Sequence, residues 1–147
     1  NIPVKIVGIG PLLAHLEKRI TDEHLRQVAL LGFKTSHELQ TLIRQARLVV
    51  VPSVWYENYP LSILEAKAMG KIVIGSAIGG IPELLPKELL AQPGDAQDLA
   101  QAIIVWHGKT PEERGLMGNT LQQQVAMVND PNRHVQAIEA VYRSAVG

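Results

Sequence analysis

A chain of 147 residues, 46% of them hydrophobic, is long and apolar enough to bury the core of one domain. Its 14 Lys+Arg balance 14 Asp+Glu, which removes the electrostatic reason to expect nucleic acid. No apolar run nears the roughly 18 to 20 residues that cross a bilayer, no signal-peptide pattern opens the chain, and the absence of cysteine excludes disulfides and thiolate metal sites and fits a cytoplasmic protein.

Val4 to Val7 read as a short β-branched strand closed by Gly8-Ile-Gly10-Pro11. A helix follows with Leu12, Leu13, Leu16 and Ile20 on one face, and Val28 to Phe33 make a second strand. Thr35-Ser-His-Glu38 fits a capping box, in which a hydroxyl and a carboxylate satisfy each other's free N–H groups. The helix it opens carries Leu39, Leu42, Ile43 and Ala46 at i, i+3, i+4 and i+7. Leu48 to Val51 is a third strand, stopped by Pro52. Pro60 is expected at the first position of the next helix, where a proline loses nothing by lacking an N–H, and Gly70 at its stop.

Lys71 to Ser76 reads as the fourth strand, broken by Gly79-Gly80-Ile-Pro82-Glu83, and Leu89 to Gln92 as a weaker fifth. Asp95 can cap a helix burying Leu99, Ala102, Ile103 and Trp106. Thr110-Pro-Glu-Glu113 is a second capping box, opening a long helix with Met117, Leu121, Val125 and Val128 on one side. After Asp130-Pro131 a last helix runs to about Ala145 with Val135, Ile138 and Tyr142 expected inward. Short apolar strands alternating with amphipathic helices predict one α/β domain, 1–147, with a doubly wound parallel sheet covered on both faces.

Ligands of such sheets bind beyond the carboxyl ends of the strands. That rule selects four loops: Gly8 to Pro11, Phe33 to His37, Pro52 to Pro60 and Ala77 to Glu83. Gly8-Ile-Gly10 does not extend to a dinucleotide fingerprint, since its third glycine would fall on Leu13 and no acid ends the second strand. The strand, loop and helix N-terminus from Pro52 onward form an arrangement suited to phosphate. Glu57 follows two aromatics in that loop, and Glu65 shares a helix face with Ser62. Carboxylates accept hydrogen bonds from paired sugar hydroxyls, but two surface acids favouring a helix start account equally well for the spacing. Gly79-Gly80 allows close backbone approach to a ligand or simply an αL turn. Trp55 and Tyr56 could flank a site, but packing under their loop is the expected role. The five histidines (His15, His24, His37, His107, His134) show no ligand spacing, and no metal motif is apparent.

Pro52-Ser-Val-Trp-Tyr-Glu57-Asn-Tyr-Pro-Leu-Ser-Ile-Leu-Glu65-Ala-Lys-Ala-Met-Gly70, then a strand and Gly79-Gly-Ile-Pro-Glu83, resembles the C-terminal domain of retaining GT-B glycosyltransferases of the "group 1" family. Val7-Gly-Ile-Gly-Pro11, Leu31-Gly-Phe33 and Leu90-Ala-Gln-Pro-Gly-Asp95 agree, so the resemblance runs from Val4 to Trp106. It implies a Rossmann-like half of a GT-B fold that binds a nucleotide sugar (UDP-, GDP- or ADP-linked) and needs no cofactor or metal. Glu57 would hold hydroxyls of the transferred sugar and Glu65 those of the ribose. The loop Asn58, Tyr59, Pro60, Leu61, leading into Ser62, would meet the sugar and diphosphate, although Pro60 stands where many members have glycine and offers no N–H. Gly10 belongs to the first glycine loop, and Phe33 and Lys34 would line the base pocket.

The same resemblance implies that the family's cationic phosphate clamp and its N-terminal acceptor domain lie outside this sequence. The acceptor is a sugar, a lipid or another small molecule, and the whole enzyme could be peripheral to a membrane. The chain opens at Asn1 in what reads as mid-strand, so it is expected to be an excised piece, inactive alone. A sheet edge or helix face laid bare there would give a dimer. A non-catalytic nucleotide-binding or interaction domain and a sugar-nucleotide epimerase-like domain remain alternatives on the same fold.

Overall fold

Short β-branched runs between amphipathic segments produce parallel strands and crossover helices in the computed structural model, which describes residues 2–146. The expectation that the chain opens in mid-strand at Asn1 falls outside the described residues. The chain forms two compact units, Asn1–Leu42 and Ile43–Gly147.

In the first unit β1 (Val4–Ile6) pairs in parallel with β2 (Val28–Leu30) across the crossover helix α1 (Leu13–Asp22). Leu13, Leu16 and Ile20 form the half-buried face of α1, whereas Leu12 precedes the helix and is exposed. The second strand stops at Leu30 rather than Phe33, because Gly32 turns the chain at φ +64°. Helix α2 (Ser36–Gln45) then starts at the expected capping box: Thr35 N–H donates to Glu38 Oε2 at 3.0 Å. That bond, first among its causes, lowers the Glu38 pKa.

The second unit holds the core. Strands β3 (Leu48–Val51), β4 (Ile72–Ser76) and β5 (Leu90–Ala91) run parallel in the order β3-β4-β5. All five residues of β4 are buried. Because side chains alternate across a strand, this requires cover on both faces, as expected for a doubly wound sheet. Helices α3 (Leu61–Ala68) and α6 (Pro111–Val128) pack on each other and on β4, while α5 (Ala96–Gly108) contacts β3, β4 and β5. Ile63, Ile74, Leu89 and Leu121 are fully buried, each contributing about 1.5–3 kcal/mol of transfer free energy. Trp106 joins them and donates its indole N–H to Glu88 O at 2.9 Å.

Two short elements were absent from the sequence reading: α4 (Ile81–Leu84), within the stretch read as a break, and a 3-10 turn, Lys87–Leu89, which replaces the start of the fifth strand. Pro60 is not the first helical residue. Its ψ of 112° is extended, so it is the N-cap of α3, and the helix starts at Leu61. The helix ends as expected, in a Schellman arrangement: Lys71 N–H donates to Ala66 O at 3.0 Å, Gly70 N–H to Lys67 O at 2.9 Å, and Gly70 takes φ +67°. Two inward assignments fail. Val128 at the end of α6 is exposed, as are Val135, Ile138 and Tyr142 of α7 (Pro131–Val146). The stripe on α7 is helical in period, but no described element covers it. Among the described residues no helix is long and apolar enough to cross a membrane.

The second capping box is complete. Thr110 N–H donates to Glu113 Oε2 at 2.8 Å, Glu113 N–H to Thr110 Oγ1 at 3.2 Å, and Lys109 Nζ pairs with Glu113 Oε1 at 2.8 Å. The Lys109 bond, then the Thr110 N–H, hold the Glu113 pKa well below its ordinary 4.5, at about 2. A carboxylate with a depressed folded-state pKa adds stability above its unfolded pKa and loses it as the pH falls through the folded value. Wild type should therefore lose this contribution between about pH 4.5 and pH 2. Glu113→Gln should show a shallower acid limb there, measured as the urea midpoint against pH; parallel limbs would contradict it.

Candidate nucleotide-sugar site

The carboxyl ends of β3 and β4 place two loops side by side. Pro52 ends β3, and the following loop is braced internally: Glu57 N–H donates to Trp55 O at 2.9 Å and Ser53 Oγ to Glu57 Oε1 at 3.2 Å. Beyond β4, Gly80 N–H donates to Glu57 O at 2.7 Å. The contact is tight enough to exclude side chains. A Cβ on Gly79 would lie 2.3 Å from Glu57 O, and one on Gly80 would lie 2.0 Å from Asn58 O. Gly79 also has φ +59°, in the left-handed region. The pair is thus an αL turn and a close approach at once, and what approaches is the backbone of Glu57 and Asn58.

Residues 57–65 form one continuous loop and helix start. Glu57 is half-buried, with its carboxylate held by Ser53; Pro60 is buried beneath the loop; Asn58, Leu61, Ser62 and Glu65 are exposed. Tyr59 is anchored through its hydroxyl, which donates to Asn129 Oδ1 at 3.4 Å at the end of α6. Among the described residues no side chain caps the N-terminus of α3, and its first turn carries no acid. Its free N–H groups and the positive end of its dipole remain open to an anion. Among the described residues the Glu65 carboxylate makes no hydrogen bond or ion pair. Trp55 and Tyr56 do not pack under the loop: they are 77% and 79% exposed.

The other candidates lie in the first unit. Gly8 N–H donates to Gly32 O at 2.9 Å, which brings the Gly8–Pro11 loop beside the turn carrying Phe33 and Lys34. Gly10 lines an apolar cleft with Val7, Ile9 and Leu16. Phe33 is exposed, and Lys34 Nζ lies 3.8 Å from Glu38 Oε1. Among the described residues no cluster of three or more His, Asp or Glu could hold a metal ion.

Lys67 escaped sequence reasoning. It is buried between α3, α4 and α6, donating to Leu84 O and, at 3.3 Å, to Gln124 Oε1, and burial lowers its pKa. The available signal was its position one turn beyond Ile63 and Leu64 on the buried side of α3.

Residues 1–107 match the profile of the glycosyl transferases group 1. The amylovoran biosynthesis glycosyltransferase AmsK of Erwinia amylovora is 36% identical over 108 residues, covering 67% of this chain and 26% of that protein. The chain spans about a quarter of the length of such curated relatives. Among solved structures, Anabaena Alr3699/HepE in complex with UDP superposes with a TM-score of 0.84 at 25% identity, over 97% of this chain and 41% of that one. The same protein in complex with UDP-glucose gives 0.81 at 26%, over 95% and 40%. The C-terminal domain of a group 1 family protein (LpcC) from Francisella tularensis shares the fold, with a TM-score of 0.70 at 20% identity over 86% of this chain and 87% of that domain. By the profile match and the arrangement of its parallel sheets and flanking helices, this chain belongs to the group 1 glycosyl transferases, with the α/β fold of the GT-B enzymes.

Proposed function

We propose that the chain is a single donor-binding domain of a retaining glycosyltransferase, which moves a hexosyl group from a nucleoside-diphosphate sugar to an acceptor held by another part of the whole protein. One observation carries this reading: the backbone of Glu57 and Asn58 is locked onto Gly79-Gly80, fixing an acceptor carboxylate beside an uncapped helix N-terminus. The UDP and UDP-glucose bound by the Anabaena relative support a nucleotide-sugar ligand.

Each group has a separate task in this reading. Glu57 accepts hydrogen bonds from hydroxyls of the transferred sugar, and the unpaired Glu65 accepts those of the ribose. The bond between the anomeric carbon and the diphosphate oxygen breaks, and its electron pair leaves with the diphosphate. The acceptor hydroxyl forms the new bond on the same face of the sugar and passes its proton to the departing diphosphate oxygen. The N–H groups of Leu61 and Ser62 at the start of α3 stabilise the charge that grows on the leaving diphosphate. Pro60 contributes none, so its role is to set the loop's direction.

The test is a calorimetric titration of this chain, and then of the full-length protein, with UDP, GDP, ADP and their sugars. Glu65→Ala should weaken nucleotide binding about ten- to a hundredfold, the range for losing charged hydrogen bonds of about 1.5–3 kcal/mol. Nucleosides lacking the ribose hydroxyls should be insensitive to the substitution. Equal affinities of wild type and Glu65→Ala for every nucleotide would refute the ribose assignment. The chain alone should show no sugar transfer, and turnover by it would overturn the division of labour.

A further inference from the structure

The amino ends of β3 and β4, opposite the loops described above, carry a second concave surface with a different chemistry. A cleft of about 350 Å³ opens between the chain entering β3, the chain entering β4 and the first turn of α6. Among the described residues three cations line it, Arg47, Lys71 and Arg114, and no acid does. In a chain whose formal net charge is zero, three like charges around one small space repel one another unless an anion joins them.

Each cation is fixed by a bond to the protein that leaves it charged and with donors to spare. Lys71 Nζ donates to Arg44 O at 2.5 Å. Arg114 Nη1 donates to the carbonyls of Lys109 and, at 3.3 Å, His107. Arg47 Nη1 lies 3.1 Å from His107 Nε2, which accepts from the guanidinium, a group that only donates. Among the described residues none of the three cations pairs with a carboxylate. The nearby acid Glu113 is taken by Lys109 and Thr110.

We propose that this cleft is a binding site for a small phosphate-type anion, separate from the nucleotide-sugar site. Guanidinium forks match pairs of phosphate oxygens, and a lysine adds a point charge. The anchoring bonds already order the side chains, so an entering anion immobilises little that was free. The volume suits phosphate or diphosphate. The proposal stands on this cleft alone and does not depend on the function of the Glu57 loop.

The experiment is calorimetry of the chain with inorganic phosphate and inorganic diphosphate at fixed ionic strength, with the backbone amide resonances of Gly70 and Gly115 as position markers. Diphosphate should bind more tightly than phosphate and move both resonances. Arg47→Gln, a change at an exposed side chain, should weaken diphosphate at least tenfold, and Lys71→Gln likewise, while Lys18→Gln, at an exposed cation of α1, leaves it unchanged. Affinity unaltered by the cleft variants would overturn the proposal, as would shifts confined to the amides of Leu61 and Ser62, which would put the anion at the start of α3. Binding to phosphatidylglycerol vesicles with no response to free diphosphate would also refute it, in favour of a membrane surface.

Discussion

Gly80→Ala should lower the unfolding free energy by about 3 kcal/mol, the upper part of the usual range for overpacking, and should abolish nucleotide-sugar binding by the same displacement. The backbone of Gly80 has φ −83°, which alanine adopts freely, so conformational strain is not the cause. The cause is steric. The added Cβ would stand 2.0 Å from Asn58 O and 3.1 Å from Asn58 C. Both sides of that contact are main chain, so no rotamer change relieves it. Either β4 and α4 shift in the core, or the loop carrying Glu57 is pushed outward and loses the Gly80 N–H bond to Glu57 O. Urea unfolding and a UDP titration measure the two consequences separately. A variant with wild-type midpoint and wild-type affinity would show that the two loops are not in contact.

Gly118→Ala and Gly115→Ala, three residues apart on α6, should change stability in opposite directions. Gly118 is buried, and a Cβ there would lie 2.1 Å from Gly70 O, in the turn that ends α3. Parting these elements also threatens the bond from Gln122 Nε2 to Ala68 O at 2.7 Å. The expected loss is about 2–3 kcal/mol. A Cβ on Gly115 meets nothing within 4 Å, and the position is interior to a helix. Alanine there should gain about 0.5–1 kcal/mol through helix propensity alone. Thermal unfolding of the two variants decides the matter by sign. Two losses of similar size would mean that α6 is held to α3 by something other than the Gly118–Gly70 contact.

Much of the fold could be read from sequence because its signals are local. Capping boxes at Thr35–Glu38 and Thr110–Glu113, the Asp95 cap and the Gly70 stop depend on neighbours within a few residues, and each forms. The strands were legible as apolar runs between such signals. Pro60 was misplaced by one position because the N-cap and the first helical residue share φ and differ only in ψ. Helix α4 was missed because four residues carry no periodicity. The inward assignment of Val135, Ile138 and Tyr142 failed for another reason: amphipathic spacing reveals that a face exists, not that this chain covers it. Gly79-Gly80 could be flagged but not interpreted, since a pair of glycines says that something comes close without naming it. The candidate site divides in the same way. Its acids and its helix start are local features, whereas the contact that fixes Glu57 joins residues more than twenty positions apart.

The bond from Gly80 to Glu57 has an entropic meaning. It fastens the loop carrying Glu57 to the end of β4, the most deeply buried strand of its unit, so that loop cannot wander without disturbing the core. The conformational freedom of Glu57 is surrendered when the chain folds, not when a ligand arrives. Trp55 and Tyr56, two residues and one residue earlier, have large exposed rings whose side-chain motion is still to be lost. Within three residues the loop therefore pairs a carboxylate ordered by the fold with exposed aromatic surface: a fixed reference point beside an adjustable wall.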